Sequence, residues 1–243
     1  MKNMTGQIRW TAAIAVSAVL LAGCGHTRAL IRSSSDIYWA SSSEYLMETA
    51  DLPLEDWPKL RKFTELSDLS IRGKLGPQVV DDCLLSLSRL NMPKLTMLRL
   101  ACSATDRGLG ALTNLPSITG LSLFGPQITD SGLRMISKGM PRLHLITFYR
   151  CTSLTVAGYL SLTNSPTLRV VEMPVDDLTQ DQVERIITEL GQVTFWLFDK
   201  PTGKLSLASL KRLKDRSVQT AVMSDGTNVS GIEYIIKSGN DSK

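Results

Sequence analysis

The chain has 243 residues, of which 43% are hydrophobic and 21% are charged, so it can bury a sizeable core in one or two domains. Its formal charge is +4, and removing Lys2 and Arg9, which lie in a segment expected to be cleaved off, from the 27 basic residues leaves 25 against 23 acidic residues. Because this balance is nearly neutral and no block of basic residues is interleaved with aromatic ones, the composition argues against nucleic-acid binding.

Residues 1–23 are typical of a secretory signal peptide. Two basic residues precede the segment Thr11–Leu21, which is almost entirely Ala, Val, Ile and Leu. This apolar run is shorter than the ~20 residues that a membrane-spanning helix needs.

The signal peptide ends in Leu21-Ala22-Gly23-Cys24, which resembles the lipobox of bacterial lipoproteins. The resemblance implies cleavage before Cys24, a diacylglycerol on its sulfur, and anchoring in the cell envelope by acyl chains such as palmitate. In that family an aspartate after the cysteine favours the inner membrane, so Gly25 favours the periplasmic side of the outer membrane. The alternative is an ordinary secretory signal that ends near a cysteine by chance.

Residues 24–51 contain two serine triplets, Ser33–Ser35 and Ser41–Ser43, and predict a flexible tether. Residues 52–65 carry apolar residues three positions apart with charges between them, and we expect a short helical cap at the N-terminal end of the domain that follows. The apolar residues of this cap are Leu54, Trp57, Leu60 and Phe63.

Residues 66–223 repeat one unit, seen most clearly in Ile118–Arg142. An apolar strand pattern is followed by the breakers Gly125 and Pro126, a helix N-cap at Thr129 and an apolar helical set. A strand, a turn and a short helix in about 25 residues cannot bury their own apolar faces, so the units must stack. The strand pattern begins at Leu66, Leu95, Ile118, Leu143, Leu168 and Val193.

These strands read L-x-x-L-x-L and resemble the leucine-rich repeat family. Within it the chain is similar to the cysteine-containing and bacterial subtypes, whose helices begin with Ile-Thr-Asp-x-Gly-Leu. The segment 128–133 matches that motif fully, 104–109 in all but its first residue, and 154–159 weakly. The family's asparagine or cysteine position is filled only by Cys151. The resemblance implies an α/β solenoid with a parallel β-sheet on its concave side and short helices on its convex side. The residues themselves predict a weaker strand at 217–223, and the apolar segment 232–236 predicts a cap within a C-terminal cap and tail over 224–243.

Residues that alternate with the buried leucines point outward, because side chains alternate across a strand. We expect their apolar members to form an exposed cluster on the concave side, which is typical of a protein-binding surface. The alternatives are that the tether or the tail covers this cluster, or that the curvature of the sheet is shallow and these residues are partly buried. Its predicted members are Met97, Phe124, Leu145, Tyr149, Val170, Phe195 and Leu197.

The sequence predicts no catalytic, metal or cofactor site. The two histidines, His26 and His144, are far apart, and no zinc-protease, redox-cysteine or phosphate-loop motif is present. Acidic residues recur near helix starts, where the helix dipole favours them; calcium ligation is the alternative. These acidic residues are Asp106, Asp130 and Asp181.

Three cysteines follow the signal peptide and its lipobox. Cys102 and Cys151 lie two strands, roughly 10 Å, apart, which is beyond disulfide reach. We expect both of them, and Cys83, to be buried thiols.

The predicted function is therefore that of a lipid-anchored, non-catalytic leucine-rich-repeat protein that binds an unidentified protein partner through its concave sheet, without a cofactor. Two alternatives stay open. One is a self-associating envelope scaffold, and the other is a hydrolase with an unrecognised site on the concave face, for which His144 is the candidate base.

Overall fold

The protein is described here by a computed structural model covering residues 28–39, 46–199, 205–211, 216–224 and 229–238. The predicted signal peptide, Cys24 and residues 239–243 lie outside these ranges. The fold is α/β, with a mostly parallel ten-stranded sheet. The strands are β1 (Arg28–Ile31), β2 (Leu46–Ala50), β3 (Asp68–Arg72), β4 (Met97–Leu100), β5 (Gly120–Phe124), β6 (Leu145–Tyr149), β7 (Val170–Pro174), β8 (Thr194–Asp199), β9 (Arg216–Ser224) and β10 (Val229–Ser238).

Helical segments connect the strands, and successive helices pack against one another from α2 to α6. Two of the segments are 3₁₀ helices, at Leu54–Lys62 and Ser161–Asn164. Among the described residues, no helix is both long enough and apolar enough to cross a bilayer. The α-helices are α1 (Ser34–Trp39), α2 (Pro77–Leu87), α3 (Asp106–Leu112), α4 (Asp130–Gly139), α5 (Val156–Leu160), α6 (Gln180–Glu189) and α7 (Leu207–Leu210).

Strands β1 to β8 pair in chain order and in parallel, which confirms the predicted order of neighbours from β3 to β8. The pairing aligns the inward side chains into rows, and one row is buried completely. Each such side chain stabilises the fold by roughly 1.5–3 kcal/mol. That row consists of Leu69, Leu98, Leu121, Ile146, Val171 and Phe195.

The register of β8 differs from the predicted one. Val171 pairs with Phe195, and Met173 pairs with Leu197, so both partners in β8 lie in the core. The sequence pattern placed them on the outward face. A slip of one residue exchanges the two faces of a strand, and a continuous apolar run such as 195–198 contains no alternation to reveal it.

The N-terminal part of the sheet differs from the predicted tether. Strand β1 pairs with β2, and β2 pairs with β3, all in parallel, so the sheet extends through residues expected to be a spacer. Ile31 and Ile37 are buried in the core that this extension shares with the rest of the chain. The 3₁₀ helix at Leu54–Lys62 is helical as predicted, but it contacts both α1 and α2 and is therefore not the terminal cap.

The C-terminal end of the sheet is antiparallel. Strand β10 pairs with both β8 and β9, so a hairpin closes the edge that β8 would otherwise present. Ile236 of β10 is buried, which ties the hairpin to the core. The strand predicted at 217–223 thus corresponds to β9.

Hydrogen bonds between successive helix starts form what we call the aspartate–threonine ladder. Thr129 caps α4, and its hydroxyl accepts the amide N–H of Ser131. The carboxylate of Asp106, one helix earlier, accepts the Thr129 amide at 2.8 Å and the Thr129 hydroxyl at 2.6 Å. Asp130 does the same for Thr155, at 2.9 and 2.6 Å.

The glycine of the Thr-Asp-x-Gly motif makes room for this ladder. A Cβ on Gly132 would lie 2.3 Å from Asp106 Oδ1, and one on Gly158 would lie 2.2 Å from Asp130 Oδ1. The space over each glycine is thus filled by the aspartate of the preceding helix. In this motif the threonine caps its own helix, the aspartate binds the threonine of the next helix, and the glycine leaves space for the aspartate of the preceding helix.

The ladder changes where the sequence departs from the motif. Val156 stands in the aspartate position of α5, and Thr179 of the next helix start bonds to Gln182 in a capping box instead. The spacing Thr179-x-x-Gln182 in the sequence favours such a capping box, and the structure contains it. One helix later the link returns, because Gln180 Oε1 accepts the Ser206 amide at 2.7 Å.

Candidate functional site

A cavity of about 710 Å³ lies on the face of the sheet that points away from the core, and we call it the groove. Ligand sites usually occupy roughly 300–1,000 Å³, so the groove has the size of a binding site. It is lined by Ser70, Arg72, Met97, Arg99, Leu100, Ala101, Ser122, Phe124, Leu145, Thr147, Phe148, Tyr149, Arg150, Glu172, Pro174 and Phe198.

The parallel register aligns the outward side chains in rows that cross the strands at ~4.8 Å per strand. The middle row forms the floor of the groove over most of its length. Three of its members are short hydroxyl side chains and are buried. In strand order from β3 to β8 the middle row reads Ser70, Arg99, Ser122, Thr147, Glu172 and Trp196.

The depth of the groove comes from small residues beside large ones. A Cβ on Gly120 would lie 2.3 Å from Met97 Sδ, so Met97 of β4 lies over the place where β5 has no side chain. Phe124 and Tyr149 are paired neighbours at the carboxyl ends of β5 and β6. Tyr149 is 47% exposed, which leaves its ring available for contact.

The charged side chains of the groove are held by identifiable contacts. Arg99 forms an ion pair with Asp68 of the neighbouring strand. Glu172 Oε2 accepts a hydrogen bond from the Thr147 hydroxyl at 2.8 Å. Burial raises the pKa of Tyr149, and the carboxylate of Glu172 raises it as well, whereas the guanidinium of Arg99 lowers it.

Arg150 has an unusual backbone conformation. It follows Tyr149 with φ at 52°, in the left-handed region, where the equivalent position one strand earlier is Gly125 with φ at 124°. A non-glycine residue is uncommon there. This backbone places the Arg150 guanidinium 6.0 Å from the centre of the Phe124 ring, at the outer edge of cation–π contact.

Arg150 also separates the groove from a second cavity of about 260 Å³. Arg150 and Pro174 line both cavities. Tyr159 closes the second cavity, with its ring packed edge-on at 5.3 Å against the ring of Phe148. The two cavities are therefore adjacent.

The structure places the predicted surface residues in three ways. Met97, Phe124, Leu145 and Tyr149 line the groove as expected. Val170 is half-buried in β7, in the row of Leu145. The placement of Phe195 and Leu197 on the surface is wrong, since both are 0% exposed in the core.

The same one-residue slip brings two aromatic residues outward. Trp196 is 37% exposed and Phe198 lines the groove. The arginines of the groove were missed for another reason: the predicted surface was chosen by apolar character alone. Arg72 and Arg99 occupy outward positions of the same alternating pattern, so a search for charge in that pattern could have found them.

The groups considered for chemistry lie elsewhere. His144 is exposed, with Nδ1 2.7 Å from the Arg142 carbonyl oxygen, and it does not line the groove. Within the described part of the chain, no group of three potential metal ligands occurs. Asp106 and Asp130 each bind threonine donors with both oxygens, which gives them a linking role in addition to the predicted one at helix starts.

The three cysteines are free and buried, as predicted. Burial raises the pKa of Cys83 and Cys102 to about 12 and that of Cys151 to about 11. A thiolate is the reactive form of cysteine, so none of the three is suited to act as a nucleophile at neutral pH.

No protein-family model matches the chain, so the geometry of the groove is the basis on which a function is assigned.

Proposed function

We propose that this protein is a leucine-rich-repeat solenoid, anchored to the bacterial envelope through a lipid on Cys24, that binds a protein partner non-catalytically through the groove. The observation that carries the proposal is a groove with exposed aromatic and arginine side chains on the outward face of the sheet. Aromatic residues and arginine are the side chains most enriched at the centres of protein interfaces.

The repeat architecture of the proposal is supported by three regularities. Strands β1 to β8 pair in chain order, successive helices contact each other, and the Thr-Asp-x-Gly motif makes the same link at Thr129 and Thr155. Repeats that each contact only their neighbours build the extended surfaces that such proteins use for binding.

The extent of the groove favours a protein segment as its occupant. The lining residues come from every strand between β3 and β8, and five strand spacings of ~4.8 Å correspond to about 24 Å. A segment of several residues can lie along such a surface. The buried hydroxyl side chains of the floor leave space for it, and the exposed ring of Tyr149 offers an anchor.

The test is capture of a partner from envelope extract by the immobilised full chain, with two matched variants. The groove variant combines Phe124→Ala with Tyr149→Ala. The control combines Val79→Ala with Met135→Ala, which truncates two exposed apolar side chains on the helices α2 and α4.

The groove variant is expected to retain less than a tenth of the captured partner, because central interface side chains contribute about 2 kcal/mol or more each. The control is expected to capture as much as the unaltered chain, and both variants are expected to melt within a few degrees of it. Equal capture by the groove variant and the control would show that the groove is not the binding surface.

A further inference from the structure

The charges of the groove are divided between its two ends. Arg99 lies on β4, and Arg150 reaches back from the end of β6 to the Phe124 ring on β5. Glu172 lies on β7, at the opposite end. From β4 to β7 there are three strand spacings, or roughly 14 Å.

The local contacts do not remove this division. Asp68 offsets the charge of Arg99, but Arg150 adds a second guanidinium over the uncharged ring of Phe124 on β5, the strand next to that of Arg99. At the other end, the hydrogen-bond donor to Glu172 is the neutral hydroxyl of Thr147. The lining therefore keeps a basic end and an acidic end.

An apolar section lies between the two ends. It consists of Phe124, Leu145 and Tyr149, which belong to β5 and β6. Tyr149 belongs to β6, which lies between β4, the strand of Arg99, and β7, the strand of Glu172.

We propose that the occupant of the groove is an extended segment of the partner protein that carries an acidic and a basic side chain about four residues apart, with an apolar residue between them. This proposal rests on the proposed function and names the chemistry that the groove recognises. The acidic side chain lies at the end formed by Arg99 and Arg150, and the basic side chain lies at Glu172.

The spacing follows from the length of an extended chain. At about 3.4 Å per residue, roughly 14 Å corresponds to four residues. The planar guanidinium of arginine binds a carboxylate through two parallel hydrogen bonds, which favours an acidic side chain at that end. A ligand with a single negative charge would offer no positive charge to the Glu172 carboxylate. A segment that carries both charges pairs with the arginines and with Glu172.

The experiment is selection of a displayed random heptapeptide library on the immobilised full chain, followed by anisotropy titration of the enriched peptides. Arg150→Gly removes the guanidinium at a backbone conformation that suits glycine, so it is expected to preserve the fold. Glu172→Gln removes the opposite charge with little change in shape. Arg134→Gln, on the exposed face of α4, removes one positive charge away from the groove and is the control for net charge.

The enriched peptides are expected to carry an acid and a base three to five positions apart around an apolar residue. Arg150→Gly and Glu172→Gln should each weaken their binding at least fivefold, and Arg134→Gln should leave it within twofold. Glu172→Lys should enrich peptides in which the basic residue is replaced by an acidic one.

Two results would overturn the inference, and they differ in what they say of the proposed function. Peptides without paired charges whose binding is lost in the Phe124→Ala, Tyr149→Ala variant would refute the charge pairing and leave protein binding by the groove in place. If the selection enriches no peptide whose binding depends on Phe124 and Tyr149, the inference is refuted. If, in addition, the double variant captures as much partner from envelope extract as the unaltered chain, the proposed function is refuted as well.

Discussion

At the level of single residues, two glycines in neighbouring helices differ in the space around them. The space beside Gly132 of α4 is occupied by the Asp106 carboxylate and by Leu109. A Cβ on Gly132 would lie 2.3 Å from Asp106 Oδ1 and 3.0 Å from Leu109 Cδ1. Gly110 of α3 has Met135 Sδ as its nearest neighbour, at an ordinary contact distance of 3.7 Å. Gly132 is therefore required by packing, whereas Gly110 has room for a methyl group and only lowers the helix propensity of α3.

We therefore predict that Gly132→Ala and Gly110→Ala change stability in opposite directions. Gly132→Ala should destabilise the fold by about 2–3 kcal/mol, because it displaces a carboxylate that binds Thr129. Gly110→Ala should stabilise it by up to about 1 kcal/mol through helix propensity. Urea unfolding of the two variants measures both values, and a stabilised Gly132→Ala variant would contradict the packing described.

A second pair of residues shows that the position after a strand of the sheet accepts different side chains. Gly125 has φ at 124°, and a Cβ there would lie 2.9 Å from the Cα of Ser103, so only glycine fits. Arg150 follows the paired strand with φ at 52°, a value that a larger residue tolerates at a cost of roughly 1–2 kcal/mol. The strain places the guanidinium at the groove, where it can serve binding.

At the scale of the element, the aspartate–threonine ladder fixes each helix start to the one before it. Asp130 accepts two hydrogen bonds from Thr155, and hydrogen bonds to a charged group are stronger than neutral ones. The ladder therefore contributes to the rigid spacing of the helices, and through them to the alignment of the strands that form the groove.

Asp130→Ala should destabilise the protein by about 2–3 kcal/mol, because it removes two hydrogen bonds from Thr155 to a charged acceptor. Asp181→Ala is the matched control, since Asp181 is an exposed acid in the first turn of α6 and the corresponding link to Ser206 comes from Gln180. Its effect should stay within about 0.5 kcal/mol. Chemical denaturation of both variants tests the difference, and equal losses would show that helix-dipole effects, not the links, are responsible.

The elements also show how far the sequence could predict the fold. The strands β3 to β7 alternate buried and outward residues, so their pattern identified both their order and their faces. Strand β8 has a run of apolar residues, and only its contacts with β7 and β10 decide which of them are buried. In β1 and β2, short strands beside serine-rich segments gave no clear alternation, and pairing with β3 stabilises them.

The groove was predictable in part for the same physical reason. Met97, Phe124, Leu145 and Tyr149 follow from alternation in well-ordered strands. The position of Arg150 over Phe124 could not be predicted, because it depends on a single backbone angle after the end of β6. The outward placement of Trp196 and Phe198 in β8 depends on a register that tertiary contacts decide.

At the scale of the whole molecule, the thiols report on both burial and the proposed lipid. The pKa of the folded-state thiols Cys83, Cys102 and Cys151 is raised above the ordinary value of 9.0. Their contribution to stability is therefore fully present below about pH 9, and it is lost as the pH rises through about 11 and 12.

Protein purified from membranes should show no rapid reaction with a thiol reagent at pH 7.5 while folded. After denaturation it should show three reactive thiols out of the four cysteines of the chain, because the proposed diacylglycerol would block the sulfur of Cys24. A Cys24→Ser variant should appear in the soluble fraction. Four reactive thiols in denatured protein from membranes would contradict lipidation.

Photo-crosslinking in intact cells tests whether a protein partner occupies the groove. A benzophenone side chain replaces Tyr149 in the groove or, as the control, Met135 on the exposed face of α4. A discrete crosslinked adduct is expected from position 149; it should be absent at position 135 and should be lost when Arg150→Gly and Phe124→Ala are added. Adducts of equal yield from both positions, or none from position 149, would contradict this expectation.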